Sequence, residues 1–142
     1  MVEIINRQRK RRLNAGHWRD FAERTLKAIG NTREREATIV FVSAAAIKKL
    51  NHQFRGKNYA TDVLSFPAQQ ERFEKELNMN LGEVVISLDR AAVQAKESGL
   101  TFSNEVEQLI LHGLLHLCGY DHETDKGEMN RLELKLRRKL GI

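Results

Sequence analysis

The sequence predicts one α+β domain, residues 1–142, in which a mixed sheet of about four strands is covered by about five helices. Its 142 residues suffice for a single hydrophobic core. Hydrophobic residues make up 41% of the chain and charged residues 30%, the balance of a globular protein. Strand-type and helix-type patterns follow one another without strict alternation, which favours α+β over a doubly wound sheet. No internal repeat, low-complexity segment or linker divides the sequence.

Strand and helix patterns succeed one another in the N-terminal part of the chain. Polarity alternates over residues 2–6, which predicts a first strand. Apolar side chains recur at helical spacing over residues 17–29, which predicts an amphipathic helix. β-Branched residues dominate residues 37–42 and predict a second strand. Ser43 is a suitable N-cap for the next helix, and Phe54 is expected on the inner face of that helix.

The middle of the chain is predicted to form two more strands around a polar excursion. Residues 62–66 have a strand pattern, which Pro67, the only proline, should end. Residues 68–80 are polar and mixed in charge, and we expect a mobile excursion there. Residues 81–88 return to the pattern of a buried strand.

Three helices are predicted in the C-terminal part of the chain. Asp89 is expected to cap the first of them, which Gly99 should end. Ser103 is expected to begin a long apolar helix. Residues 125–140 have the periodicity of a final amphipathic helix.

Net charge, cysteine content and hydropathy indicate the kind of partner and the cellular compartment that suit this protein. The net charge of +5 favours a polyanionic partner. Residues 7–12 form a basic cluster that suits a solvated turn and a phosphate contact equally well. Cys118 is the only cysteine, so we expect no intrachain disulfide and a reducing cytoplasm. No apolar run is long enough to span a bilayer and no signal-peptide layout is present, so we expect no membrane association.

The most informative stretch is residues 111–122, which contains three of the five histidines. His112 and His116 are four residues apart, so on a helix both imidazoles project from one face. Gly119 stands where a helix can end in a left-handed residue, and the chain beyond it could return His122 to the same point.

Three neutral imidazoles with an open fourth position form the ligand set of a catalytic zinc, one ion per chain. A lone histidine on an apolar helix is usually a hydrogen-bonded core residue, but burying several without partners carries a desolvation cost that a metal removes. The spacing also matches one class of zinc peptidases. Those enzymes carry a glutamate general base directly after the first histidine, where this chain has Gly113.

The stretch from His112 to His122 resembles the signature of the YbeY family of bacterial endoribonucleases, the rRNA maturation factors. Two further blocks support the resemblance, residues 50–57 followed by 61–67, and residues 81–87, although the family more usually has Asp where this chain has Glu83. The resemblance covers nearly the whole chain. It implies a small sheet covered by helices with the metal helix at its centre, similar to the active-site helix of metzincins.

The resemblance also implies an activity and partners. The expected activity is a zinc-dependent, single-strand-specific endoribonuclease that acts in maturation of the 3′ end of 16S rRNA and in ribosome quality control. The expected partners are single-stranded RNA, the small ribosomal subunit and its assembly factors, with neither DNA nor a membrane. A basic protein with an open zinc suits a phosphodiester better than an amide, because phosphodiester cleavage concentrates negative charge on phosphorus.

These arguments assign roles to particular residues. We expect His112, His116 and His122 to be the metal ligands, with His116 also counted as catalytic. Arg55 matches the family's conserved arginine, and its planar guanidinium suits it to bind substrate phosphate and to act in catalysis. Asp121 is expected to support the site by orienting a histidine or fixing the turn.

Two other functions remain open from the residues alone. The first is a zinc peptidase, which the ligand spacing favours and Gly113 opposes. The second is a non-enzymatic RNA- or ribosome-binding factor in which zinc only holds the fold. Ser65 and Asp62 could line the cleft or serve the strand edge, and Cys118 is expected to be a small core residue rather than a ligand.

Overall fold

The computed structural model describes residues 1–30, 35–68, 80–121 and 123–142. Its four strands are β1 Val2–Asn6, β2 Glu36–Val42, β3 Val63–Pro67 and β4 Asn80–Ser87. Its five helices are α1 Ala15–Ile29, α2 Ala44–Arg55, α3 Leu88–Ser98, α4 Phe102–Leu117 and α5 Glu128–Leu140. The predicted α+β class is therefore confirmed for the described part of the chain. Residues 69–79, most of the predicted excursion, lie outside it.

The four strands form one mixed sheet in the order β1-β2-β4-β3. The pairs β1/β2 and β2/β4 are parallel, whereas β3 runs antiparallel to β4. Parallel neighbours need crossover connections, and α1 provides the one between β1 and β2. β1 and β3 are the two edge strands of this sheet.

Helices cover the two faces of the sheet unequally. The larger core lies on the face covered by α1 and α4, and includes Phe21, Ile39 and Ile110. The smaller core lies under α2, where Ile47 packs with Leu64 and the β4 side chains beside it. Burial of these apolar side chains supplies the main driving force for the fold.

α4 is the central helix of the domain. One side of it packs on the sheet, and its Leu111 and Leu115 pack against Met129 and Leu136 of α5. A helix enclosed on two sides needs an apolar surface wider than a single stripe, as the sequence of α4 has. The face that remains carries the two histidines of interest.

Several element boundaries differ from the sequence predictions. Ser87, rather than Asp89, caps α3 by accepting a hydrogen bond from the Arg90 N–H at 3.3 Å. The long apolar helix α4 begins at Phe102, one residue before the predicted Ser103, and Thr101 caps it by accepting from the Asn104 N–H at 3.1 Å. A capping oxygen must stand two or three residues before the N–H that it accepts from, and several polar residues precede each helix.

Two further predictions are wrong. Phe54 is 59% exposed instead of facing the core, and its ring contacts Phe66 edge-on at 5.2 Å between centroids. The last helix begins at Glu128, three residues later than predicted. Asp125 instead stabilises the preceding turn, where its carboxylate accepts from the N–H groups of Gly127 and Met129 at 2.8 Å each. Among the helices of the described residues, none is long and apolar enough to cross a bilayer.

Candidate metal centre and substrate cleft

The C-terminal end of α4 closes as the sequence predicts. Gly119 adopts a φ of 99°, a backbone conformation that a residue with a side chain rarely adopts. Its N–H donates to the His116 carbonyl at 3.0 Å, and the Tyr120 N–H donates to the Leu115 carbonyl at 3.1 Å. This pair of bonds is the Schellman arrangement, which turns the chain sharply away from the helix axis just before residues 121–123.

His112 and His116 project from the same face of α4. Their Nε2 atoms lie 3.2 Å apart, and the two rings meet edge to face with centroids 4.7 Å apart. Both side chains are half-buried at the wall of a cleft. The helical spacing therefore brings two imidazole nitrogens to one point, as the sequence predicted.

Glu133 of α5 holds the other nitrogen of His112. The Nδ1 of His112 lies 3.0 Å from Glu133 Oε1. An ionised carboxylate can only accept, so Nδ1 carries the hydrogen and donates it. In the neutral ring this leaves the Nε2 lone pair directed at His116 and the cleft. A carboxylate on the far nitrogen is the usual support of a metal-binding histidine.

The surroundings of Glu133 keep its carboxylate ionised. The side chain is buried at 8% exposure, and Arg137, one helical turn further on, lies 3.8 Å away. Burial raises the pKa of Glu133, but the hydrogen bond from His112 and the positive charges of His112, Arg137 and His116 outweigh it, so the pKa falls below its ordinary value. The carboxylate is therefore available as an acceptor at neutral pH.

Glu133 belongs to the candidate site by its contact with His112, and it was not identified from the sequence. Met129, Leu136 and Leu140 define the apolar stripe of α5, and residue 133 falls on the same stripe by helical spacing. A charged side chain in the middle of a buried stripe is rare without a partner. A charged residue at a buried position of this stripe was the feature of the sequence that could have identified Glu133.

The cleft beside the two imidazoles has a volume of about 240 Å³. It is lined by residues from α2, β3, α4 and the turn after α4, namely Arg55, Val63, Ser65, Pro67, His112, His116, Asp121 and Glu123. Of the seven residues that the sequence placed at or near the site, five line this cleft, namely Arg55, Ser65, His112, His116 and Asp121. Asp62 does not line it, and His122 lies outside the described residues. Both an arginine and two carboxylates face the same space.

Arg55 reaches the cleft because of how α2 ends. It is the last residue of the helix, and Gly56 follows with a φ of 69° and donates its N–H to the His52 carbonyl at 3.0 Å. The buried side chain of Asn51 donates from Nδ2 to the Tyr59 carbonyl at 3.0 Å. This hydrogen bond ties the loop that follows Arg55 back to the helix.

His122, the third predicted ligand, lies outside the described residues, so its role stays a prediction. Within the described residues, no three His, Cys, Asp or Glu side chains lie close enough together to hold a metal ion. The neighbours of His122 in sequence, Asp121 and Glu123, both line the cleft. Asp121 and Glu123 therefore border the same cleft as the two imidazoles.

The two described imidazoles fit a zinc ion. Nitrogen ligands at roughly 2.0–2.1 Å from a tetrahedral zinc stand about 3.3 Å from one another. The Nε2 atoms of His112 and His116 are 3.2 Å apart, and Glu133 supports the first of them from behind. The donor set, its separation and its supporting carboxylate all suit this metal.

Other residues singled out in the sequence lie where they serve the fold. The Asp121 carboxylate accepts from the Glu123 N–H at 3.0 Å and so braces the turn. Burial raises the pKa of the Cys118 thiol, which packs beside the main core. Glu83 lines a groove on the opposite face of the sheet. In the basic cluster, Arg11 lies 3.6 Å from Asp89, away from the cleft.

Comparison with known proteins shows the family of this chain. The family described as Endoribonuclease YbeY matches residues 3–141. The chain belongs to the YbeY family. An Endoribonuclease YbeY from Nautilia profundicola is 46% identical over 109 residues, which cover 77% of this chain and 75% of that protein. One from Thermodesulfovibrio yellowstonii is 34% identical over 95% of this chain and 94% of that protein.

A solved structure shares the fold of this YbeY-family chain. The solution structure of a Thermotoga maritima protein matches with a TM-score of 0.66 and 30% identity, and covers 99% of this chain and 89% of the other. The four-stranded sheet and its helices therefore follow an established architecture along the whole chain.

Proposed function

We propose that the protein is a zinc-dependent endoribonuclease that cuts single-stranded RNA in the cleft beside α4. One observation carries the proposal: the Nε2 atoms of His112 and His116 lie 3.2 Å apart in a cleft that Arg55 also lines. Two imidazoles and a guanidinium in one open cleft suit an anionic substrate. The similarity to proteins named Endoribonuclease YbeY supports the same assignment.

His112, His116 and His122 would hold the zinc, with Glu133 fixing the ring of His112. When bound, zinc supplies a Lewis acid that stabilises negative charge and activates water. Arg55 would bind the phosphate through two parallel N–H···O hydrogen bonds, which orient the phosphodiester and offset its charge. The net charge of +5 supports binding of a polyanion.

Glu123 is the carboxylate best suited to move a proton during the reaction. It lines the cleft and makes no hydrogen bond or ion pair through its side chain within the described part of the chain. The Asp121 carboxylate, in contrast, already accepts from the backbone of the turn. A general base needs a lone pair free to face the substrate or a water molecule.

The biological substrate that we propose is the 3′ end of 16S rRNA, with a role in ribosome quality control. The small ribosomal subunit and its assembly factors would then be the partners, and the bacterial cytoplasm the compartment. The family membership and the positive charge support the rRNA assignment. The lone cysteine suits a reducing compartment.

The proposal is tested by measuring metal content and cleavage of a labelled single-stranded RNA together. We expect about one zinc per chain in the wild type by the donor-set argument. His116→Ala should lose both zinc and cleavage. Arg55→Ala should keep zinc but lose cleavage, and Arg55→Lys should recover only part of the rate because an ammonium cannot bind two oxygens in parallel.

His17→Ala is the matched control, because His17 lies on α1 against Trp18 and outside the cleft. Circular dichroism of each variant should stay native, since α4 is held by apolar packing on two sides. Zinc without cleavage in the wild type would contradict the nuclease assignment. Unfolding of His116→Ala would instead favour a binding factor in which zinc holds the fold.

A further inference from the structure

Among the residues that the structure describes, no strand or loop pairs with the edge of the sheet beside the cleft. In the described part of the chain β3 pairs only with β4. The Asp62 carbonyl accepts from the Ser87 N–H, and the Ala68 N–H donates to the Leu81 carbonyl, at 2.9 Å each. Neighbouring residues of an antiparallel strand direct their backbone groups to opposite sides. The even-numbered residues of β3 therefore bond to β4, and the odd-numbered residues face outward.

Ser65 is at the centre of this free edge. It has an N–H and a carbonyl that face away from β4, and neither bonds to another described residue. Two residues earlier, the N–H and the carbonyl of Val63 also face away from β4. Two residues after Ser65, Pro67 presents only a carbonyl on this edge. A proline is tolerated there because the N–H that it lacks would point away from β4 and make no hydrogen bond within the sheet.

The cleft extends around this edge. The side chains of Val63, Ser65 and Pro67 line it together with His112 and His116 of α4. Arg55 lines it too, although α2 packs on the other face of the sheet. A molecule that contacts both the imidazoles and Arg55 must therefore pass the outward backbone groups of β3.

A residue in an extended conformation presents its backbone N–H donor and C=O acceptor side by side, in the plane of the sheet. The Watson–Crick edge of a nucleobase has the same alternation of donors and acceptors, and it is free only when the base is unpaired. We propose that the free edge of β3, centred on Ser65, hydrogen-bonds an unpaired base of the RNA segment held in the cleft. This inference rests on the proposed nuclease function and gives it a physical source of single-strand specificity.

An extended peptide could pair with the same edge. The cleft favours RNA because Arg55 provides a phosphate-binding group beside the edge, and because the chain is positively charged overall. RNA supplies both a phosphate for the guanidinium and a planar base edge for the strand, whereas an extended peptide supplies no phosphate.

The test compares Ser65→Pro, which removes the outward N–H, with Ser65→Ala, which removes only the hydroxyl. Ser65→Pro should leave the ladder to β4 intact, since the Ser65 N–H does not contribute to it. The substrates are a single-stranded RNA and copies in which one base near the cut is methylated on its Watson–Crick edge. Methylation blocks the hydrogen bonds of a base but leaves its phosphate and sugar unchanged.

For one modified position we expect the zinc-loaded wild type to cut the methylated RNA about tenfold more slowly, the effect of losing roughly one hydrogen bond. Ser65→Ala should keep this preference. Ser65→Pro should lose the preference for the unmodified RNA. It should cut the unmodified and the methylated RNA at the same rate, which should be lower than the wild-type rate on unmodified RNA. Circular dichroism checks its fold, and the methylation series on the wild type gives an independent answer if the variant does not fold.

Equal cutting of all methylated copies by the wild type would overturn the inference while leaving the nuclease assignment intact. Full retention of the preference by a folded Ser65→Pro would also overturn it. Inhibition by an extended peptide that Ser65→Pro abolishes, with no effect of methylation, would assign the edge to a peptide instead. If the wild type cuts no single-stranded RNA, the proposed function fails first and the inference fails with it.

Discussion

Gly113 of α4 and Val84 of β4 lie so close that a β-carbon added at Gly113 would come within 2.5 Å of Val84 Cγ1. Carbon atoms in contact are normally 3.5–4.0 Å apart, so roughly 1 Å of movement would be needed. Gly113 thus lets the central helix approach the sheet. It also explains why the glutamate of the zinc peptidases cannot occupy this position, because a side chain there would run into the core and away from the cleft.

Gly113→Ala should destabilise the protein despite the better helix propensity of alanine. We expect a net loss of about 1 kcal/mol, since overpacking costs ~1–3 kcal/mol while helix propensity returns about 1 kcal/mol. In a Val84→Ala background the same change should become neutral or stabilising. Urea unfolding of the four proteins in this cycle measures the coupling. An equal cost in both backgrounds would contradict the close approach.

Glu133→Ala should weaken zinc binding by about 10–100-fold, because His112 loses the acceptor that fixes its ring. Glu133→Gln keeps a hydrogen-bond acceptor without the charge, so its zinc affinity should lie between those of Glu133→Ala and the wild type. Competition with a chromogenic chelator gives the affinity directly, independently of cleavage. Wild-type affinity in both variants would show that Glu133 serves the packing of α5 alone.

Glu123→Gln should lower the rate of RNA cleavage by about 10²–10⁴-fold if Glu123 moves the proton. Its zinc content and RNA affinity should stay close to the wild type, because the side chain has no structural partner among the described residues. Asp121→Asn is the matched control in the same cleft and should affect stability of the turn more than the rate. A larger rate loss in Asp121→Asn would reverse the two roles.

Glu105 lies in the first turn of α4 and is buried at 6% exposure. Burial raises its pKa above the ordinary 4.5, the negative charge of Asp62 raises it further, and Arg137 opposes both. The folded state therefore binds the proton more tightly than the unfolded state. The stabilising contribution of the protonated form is complete below the unfolded pKa and is lost as the pH rises through the folded pKa.

Glu105→Gln should consequently be more stable than the wild type at neutral pH, and the difference should vanish in acid. Urea unfolding over a pH series that starts below 4.5 measures this difference. Glu97→Gln, on the exposed side of α3, is the control and should show no such trend. If the free energy of unfolding of Glu105→Gln depended on pH as that of the wild type does, the raised pKa could not belong to Glu105.

Local patterns predicted most of the fold. The span of β1 and the ends of α1 and α5 follow from periodicity and from glycines, because these signals act over a few neighbouring residues. The cap of α3 was misassigned, and the start of α4 was placed one residue too late. Several nearby polar side chains compete for each cap, and only the three-dimensional path of the chain selects one. Phe54 was placed inside by spacing alone, whereas in the structure its ring is 59% exposed and contacts Phe66 edge-on.

The sequence by itself determined the pairing of His112 with His116, because four residues of helix always bring two side chains to one face. It also determined the turn at Gly119 and, through family resemblance, pointed to Arg55. Tertiary structure decided the rest. The partner of His112 stands 21 residues away on another helix, and the free edge of β3 exists only because the sheet order places that strand last. Such contacts depend on how whole elements pack, and no local pattern encodes them.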